Sequence, residues 1–208
     1  MKKLLLSIIT LTFMLQANAQ EGTIQFGAKA GLNLTTLNGD IEGAKGRTSF
    51  HLGGMAEIPI TNKLSIQPEL LFSSQGAKTE GATLVFNYLN VPVMAKYYVT
   101  NELSLEAGPQ IGYLLSANLK YETSGDNNPG PNTTEERSST KAAEKEDVKD
   151  DVKSIDFGIN FGLGYKMENG LNFGLRYNLG LANANNFENS SQEFKNGVFQ
   201  ISVGYFFL

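Results

Sequence analysis

The chain has 208 residues, one domain by length, of which 41% are hydrophobic and 18% charged. Without Cys and with a single His, it excludes disulfide scaffolds, thiolate metal sites, cysteine nucleophiles, a lipidated N-terminal anchor and multi-histidine metal centres, and no cofactor is expected. Its 17 basic and 21 acidic residues leave a net charge of −4, which offers no electrostatic footprint for nucleic acid.

Lys2 and Lys3 precede an apolar run from Leu4 to Leu15, and Ala17-Asn18-Ala19 forms an A-x-A cleavage site. Residues 1–19 are therefore predicted to be a secretory signal peptide, since the run is too short to span a bilayer as a helix. The mature domain is then 20–208, and loss of the two lysines leaves 15 basic against 21 acidic residues, a charge of −6.

From Ile24 the pattern has period two. Ile24, Phe26, Ala28, Ala30, Leu32 and Leu34 alternate with Gln25, Gly27, Lys29, Gly31 and Asn33, which is a strand with one apolar and one polar or bare face. The same alternation recurs over Phe50–Ile60, Leu64–Phe72, Leu89–Val99, Leu103–Tyr121 (broken at Leu114), Ile155–Lys166, Leu171–Leu181 and Phe199–Phe207. Eight strands is the size of a small barrel. Strands two, four and six end in short turns centred on Asn62, Asn101 and Asn169, a residue type that tolerates turn geometry. Strands one, three, five and seven end in longer polar connections, residues 38–48, 75–83, 122–153 and 184–196. The predicted fold is all-β: an eight-stranded antiparallel up-and-down transmembrane β-barrel with short periplasmic turns and long outer loops.

A soluble barrel would alternate too, with its apolar face inward. Three features favour the apolar face outward. The polar face is rich in Gly, at 27, 31, 53, 108, 112, 158, 162, 164, 174, 180 and 204, which weakens a solvent-facing sheet but leaves room in a narrow lumen. It also carries balanced mid-strand charge: Lys29, Lys96, Lys166 and Arg176 against Glu57, Glu69, Glu106 and Asp156, a candidate lumenal network of structural character. Aromatics gather near strand ends, Tyr97 and Tyr205 at one end and Phe72, Tyr121 and Phe157 at the other, like interfacial girdles.

The run Tyr88-Leu89-Asn90-Val91-Pro92-Val93-Met94-Ala95-Lys96-Tyr97 resembles the Y-L-x-[IV]-P-[LV]-x-x-K-Y strand of the PorT-like outer-membrane β-barrel family. Gly108–Ala117, Asp156–Tyr165 and Leu175–Leu181 are similar to later strands of that family. The resemblance implies an eight-stranded barrel of the bacterial outer membrane; one branch of the family is linked to secretion and gliding machinery. The last strand, Val198–Leu208, ends on aromatics of the kind the barrel-assembly machinery reads, although Leu208 rather than Phe is last.

His51, with Ser49 nearby, is the one candidate for hydrolase chemistry, but parity turns it toward the lumen, whereas lipid-modifying catalysis needs the lipid face. Residues 122–153 hold nine acidic and five basic residues and read as a mobile polar loop, with helix-friendly content over Lys141–Lys153. Its acids suit bridging of divalent cations at a lipopolysaccharide surface, and plain solvation is the simpler account. The resulting expectation is a non-catalytic outer-membrane barrel of structural or interaction type. Its partners are outer-membrane lipid, the barrel-assembly machinery through the C-terminal strand, and a surface protein or glycan through loop 122–153. The alternatives are a small porin or transport and secretion component, and third a lipid-modifying hydrolase.

Overall fold

The computed structural model describes residues 23–39, 45–79, 81–121, 145–149, 152–182 and 194–207. The predicted signal peptide and most of the predicted loops 122–153 and 184–196 lie outside the described residues. Among the described residues there are nine strands: β1 Gln25–Gly39, β2 Lys45–Pro59, β3 Leu64–Thr79, β4 Ala82–Tyr98, β5 Leu103–Tyr121, β6 Lys145–Asp147, β7 Ile155–Lys166, β8 Leu171–Gly180 and β9 Phe194–Phe207. Each pairs antiparallel with its neighbours. The sheet closes where β1 meets β9, with Ala30 opposite Val203. Among the described residues β6 pairs with the outer end of β5 and with no other strand, so the closed barrel has eight strands.

Alternation puts the apolar side chains outside. Phe26, Leu32, Leu52, Leu70, Leu105, Ile111, Phe161, Leu175 and Ile201 are among the large hydrophobics left exposed on every barrel strand, a continuous band that a water-soluble protein does not carry. Among the described residues no helix is long and apolar enough to cross a membrane; the strands are the membrane-crossing elements.

Two of the three short turns are tightened by Thr rather than by the expected Asn. Thr61 Oγ1 accepts from the Lys63 and Leu64 amides at 3.2 and 3.0 Å, and Thr100 Oγ1 accepts from Glu102 and Leu103 at 3.3 and 3.0 Å. Only at the third turn does the Asn serve, with Asn169 Oδ1 taking the Leu171 amide at 3.0 Å beside Gly170, whose φ is +87°.

At the outer end the structure departs from the sequence reading. Residues 75–83 are not a loop: β3 and β4 run on to Thr79 and Ala82, which pair directly around a tight turn containing Gly81. β5 carries a bulge, because Asn87 pairs with Ser116 but Tyr88 pairs with Leu114. The extra residue reverses parity beyond Leu115. Ala117 therefore faces inward and fully buried, and Tyr121 stands beyond the apolar band with its hydroxyl on Glu146 Oε2 at 3.0 Å, outside any girdle. Leu114, the break in the alternation, lies in a small apolar cluster with Ala77, Phe86, Tyr88, Ala117 and Val152. This cluster caps the outer part of the lumen. The chain returning from the third connection is held to β5 by Val148 N to Ala117 O at 3.1 Å and Leu114 N to Ser154 O at 2.8 Å. Lys145–Asp147 is thus a strand rather than the start of a helix, and Val152 belongs to the packed fold.

Candidate functional site

Parity turns the polar face of each strand into the lumen, and an eight-stranded interior is just wide enough to be filled by its own side chains. Seven of the eight predicted residues form one chain of alternating sign. Lys29 bridges Glu69 at 3.2 Å, Glu69 bridges Arg176 at 2.9 Å, and Arg176 bridges Glu106 at 3.1 Å. Glu106 continues to Lys96 at 3.5 Å, Lys96 to Glu57 at 3.3 Å, and Glu57 to Lys166 at 3.1 Å. These groups come from β1, β3, β8, β5, β4, β2 and β7, so every barrel strand except β9 contributes one.

Glu69, like Lys96, has its side chain wholly shielded from solvent. Both its oxygens take the Arg176 guanidinium fork at 2.9 Å each, the geometry in which Arg matches a carboxylate best. Gln67 Nε2 adds a third donor at 2.7 Å. At the periplasmic end Glu57 accepts from the Tyr98 hydroxyl at 2.6 Å, Gln67 Oε1 accepts from Lys96 at 3.0 Å, and Lys166 also donates to Gln25. The Phe206 ring packs against both lysines, with its centroid 4.4 Å from Lys166 Nζ and 5.8 Å from Lys96 Nζ. Gln67 and Tyr98 were visible as members of the polar face but carry no charge to single them out. Phe206 was marked only by being an aromatic at a lumenal position.

The room for these long side chains comes from glycine. A Cβ on Gly164 would lie 2.4 Å from Glu106 Oε1 and 2.7 Å from Ser104 Oγ. One on Gly31 would lie 2.6 Å from the His51 ring.

Asp156 does not join the chain. It is buried farther toward the outer mouth, where Asn196 Nδ2 donates to one of its oxygens at 2.8 Å and the other has no partner among the described residues. The network is therefore four cations against three carboxylates, not the balanced four against four of the sequence reading. His51 is lumenal, 1% exposed, with Nδ1 2.7 Å from Asn33 Oδ1. Ser49 donates instead to the Ser74 carbonyl at 2.6 Å, so no Ser–His pair is assembled and neither side chain reaches the lipid face. No group of three His, Cys, Asp or Glu side chains suited to a metal is present among the described residues. Below the ion chain, a vestibule of about 510 Å³ opens to the periplasmic side, lined by Gln25, Glu57, Tyr98, Glu102 and Lys166 among others.

This geometry has relatives. Ail, the attachment invasion locus protein of Yersinia pestis, whose structure was solved with the heparin analogue sucrose octasulfate, superposes with a TM-score of 0.51 at 13% identity, over 89% of this chain and 100% of that one. Neisserial surface protein A gives a TM-score of 0.52 at 11% identity, with 89% and 100% covered. At such identities the likeness is one of fold. No curated protein matches the sequence. The family model for the outer membrane protein beta-barrel domain matches residues 16–186, so the chain belongs to that family and is an integral protein of the bacterial outer membrane.

Proposed function

We propose that the barrel is a plugged anchor: its lumen holds the strands in register and conducts nothing, and its outer elaboration is the surface that meets partners. The observation that carries this is the unbroken ion chain from Lys29 to Lys166, drawn from seven strands and buried along nearly all its length. A charge so enclosed is costly to leave unpaired, so the chain resists being parted to admit a solute. The apolar cap around Leu114 and Val152 adds a second obstruction at the outer end. Reconstituted protein in planar bilayers tests this. No discrete conductance steps are expected, and reproducible steps would favour the small porin instead.

Catalysis is no part of this reading, because Ser49 and His51 are turned into the lumen and engaged with other partners. The domain layout that accompanies it is a cleaved signal peptide over 1–19 and a barrel over 20–208, inserted through recognition of β9 by the assembly machinery. Within the family we place the chain with the PorT-like barrels on the Tyr88–Tyr97 motif, which leaves a secretion-machinery partner open to test by crosslinking on intact cells. By analogy with Ail, which was solved with a sulfated saccharide, an acidic surface glycan or a surface protein is the fitting class of partner for the outer connections.

A further inference from the structure

β3, β4 and β5 rise beyond the apolar band as a hairpin sheet, and its register brings together lysines that are far apart in the chain. Lys45 pairs with Lys78, Lys78 with Thr83, Thr83 with Lys120, and Lys120 with Lys145. Directly paired residues of neighbouring antiparallel strands share a face, and strands lie about 4.8 Å apart, so Lys45, Lys78, Thr83 and Lys120 make a row about 14 Å long. Ala77 and Leu84, the chain neighbours of Lys78 and Thr83, pack into the inner cluster, which turns Lys78 and Thr83 to the outer face. Lys45, Lys78 and Lys120 are exposed, and none has an ion-pair partner among the described residues. Asp147 lies two residues along β6 from Lys145, opposite Asn118, and its carboxylate already accepts the Lys149 amide at 3.0 Å.

Like charges set opposite each other destabilise a sheet. The fold gains nothing from Lys45 against Lys78, which directs attention to a ligand outside the protein. Resting on the plugged-anchor reading above, we propose that this row binds the phosphorylated saccharide headgroups of glycolipid in the outer leaflet. The outer face of the hairpin continues the lipid-facing surface of the same strands. Lys78 is six residues beyond Phe72, about 20 Å along the strand and about 14 Å in height at a tilt of about 45°. That is above the phosphates of a plain phospholipid and level with an extended, phosphorylated sugar head. The row faces sideways, toward the neighbouring leaflet, rather than up toward solvent. Each Lys near an anionic surface contributes about 1 kcal/mol, a factor of about five in affinity.

The test uses the full mature chain, folded in zwitterionic micelles and titrated with rough-type lipopolysaccharide, with the same glycolipid after chemical removal of its phosphates, and with sucrose octasulfate as a soluble polyanion. Wild type should bind the phosphorylated glycolipid tightly and salt-dependently. The triple variant Lys45→Gln/Lys78→Gln/Lys120→Gln should lose about a hundredfold, and the matching Lys→Arg triple should keep most of the affinity. Heat-dependent gel mobility reports that each variant is a folded barrel. Equal binding of the dephosphorylated glycolipid, or a Gln triple within threefold of wild type, overturns the proposal. Lysine-dependent binding of the soluble polyanion alone also overturns it, while leaving the anchor reading intact. Conductance steps from the wild type would count against the anchor reading alone, because glycolipid binding is measured separately.

Discussion

The ion chain predicts an asymmetry between its two signs. With four cations against three carboxylates, replacing Arg176 by Met leaves three against three. Lys29 still pairs with Glu69, Lys96 with Glu106 and Glu57, and Lys166 with Glu57. Replacing Glu69 by Gln leaves four against two: Lys29 loses its carboxylate and Arg176 keeps only Glu106 at 3.1 Å. Breaking a buried pair by removing one partner costs about 3–5 kcal/mol. Arg176→Met should therefore fall near the lower bound and Glu69→Gln near the upper, a difference of about 2 kcal/mol. The double variant should cost less than the sum, because Arg176 has already lost its forked partner once Glu69 is neutral. The chain has no Trp, so urea unfolding in micelles is followed by far-UV circular dichroism and gel mobility rather than by indole fluorescence. At a slope of about 2 kcal/mol per molar urea, the two midpoints should differ by about 1 M. Arg176→Met costing as much as Glu69→Gln would refute the excess-cation argument. Losses below about 1 kcal/mol for both would show that water, not the partner, solvates these groups.

Three further outcomes follow from the same geometry. Gly164→Val, which drives a side chain into Glu106 and Ser104, should lower the same midpoint by about 1–3 kcal/mol, whereas Gly54→Ala, with only the Gly27 carbonyl nearby at 3.9 Å, should be nearly silent. Replacing residues 124–142 by a short Gly-Ser linker should leave insertion and heat-modifiability intact, while Val152→Asp, which buries a charge in the apolar cap, should cost about 2 kcal/mol or more; equal effects in unfolding measurements would sink the distinction. Intact-mass measurement of protein from outer membranes should give a chain beginning at Gln20, and a mass retaining residues 1–19 would refute the signal peptide.

Where one face meets lipid and the other meets side chains, period-two alternation determines almost everything, and the eight barrel strands could be read from it. The outer ends could not. Above the membrane the selection for apolar-out is gone, so Ser74, Gly76 and Lys78 on β3 look like loop residues although they continue a strand. Their backbone groups are met by side chains instead: Asn33 Nδ2 donates to the Ser74 carbonyl at 2.9 Å, and Thr35 Oγ1 to the Gly76 carbonyl at 2.6 Å, where β2 parts from β3. Gly76 itself has φ +130°, and a Cβ there would stand 2.1 Å from the Leu84 carbonyl oxygen. Such a tertiary reason for a glycine has no local signal. The bulge at Leu115 is equally silent, and it alone moves Ala117 and Leu119 from the outer face to the inner.

The lumenal site divides along the same line. Parity correctly sends a charge inward, but it says nothing about height, and height is decided by how far each strand is staggered against the next. Asp156 pairs with Gly112, whereas Glu106 of the ion chain lies six residues lower on the same strand and pairs with Gly162. At about 3.3 Å per residue that is about 20 Å, beyond the reach of any side chain. The balance of four against four on paper thus becomes four against three in the barrel, with one carboxylate left to Asn196. The lysine row follows from the same stagger. Residues 45, 78 and 120 share no motif and no spacing, and only the register of four strands places them side by side. In a barrel whose local pattern is uniform, chemistry is written in the pairing, and substitutions that shift register without changing parity should disturb both the plug and the row at once.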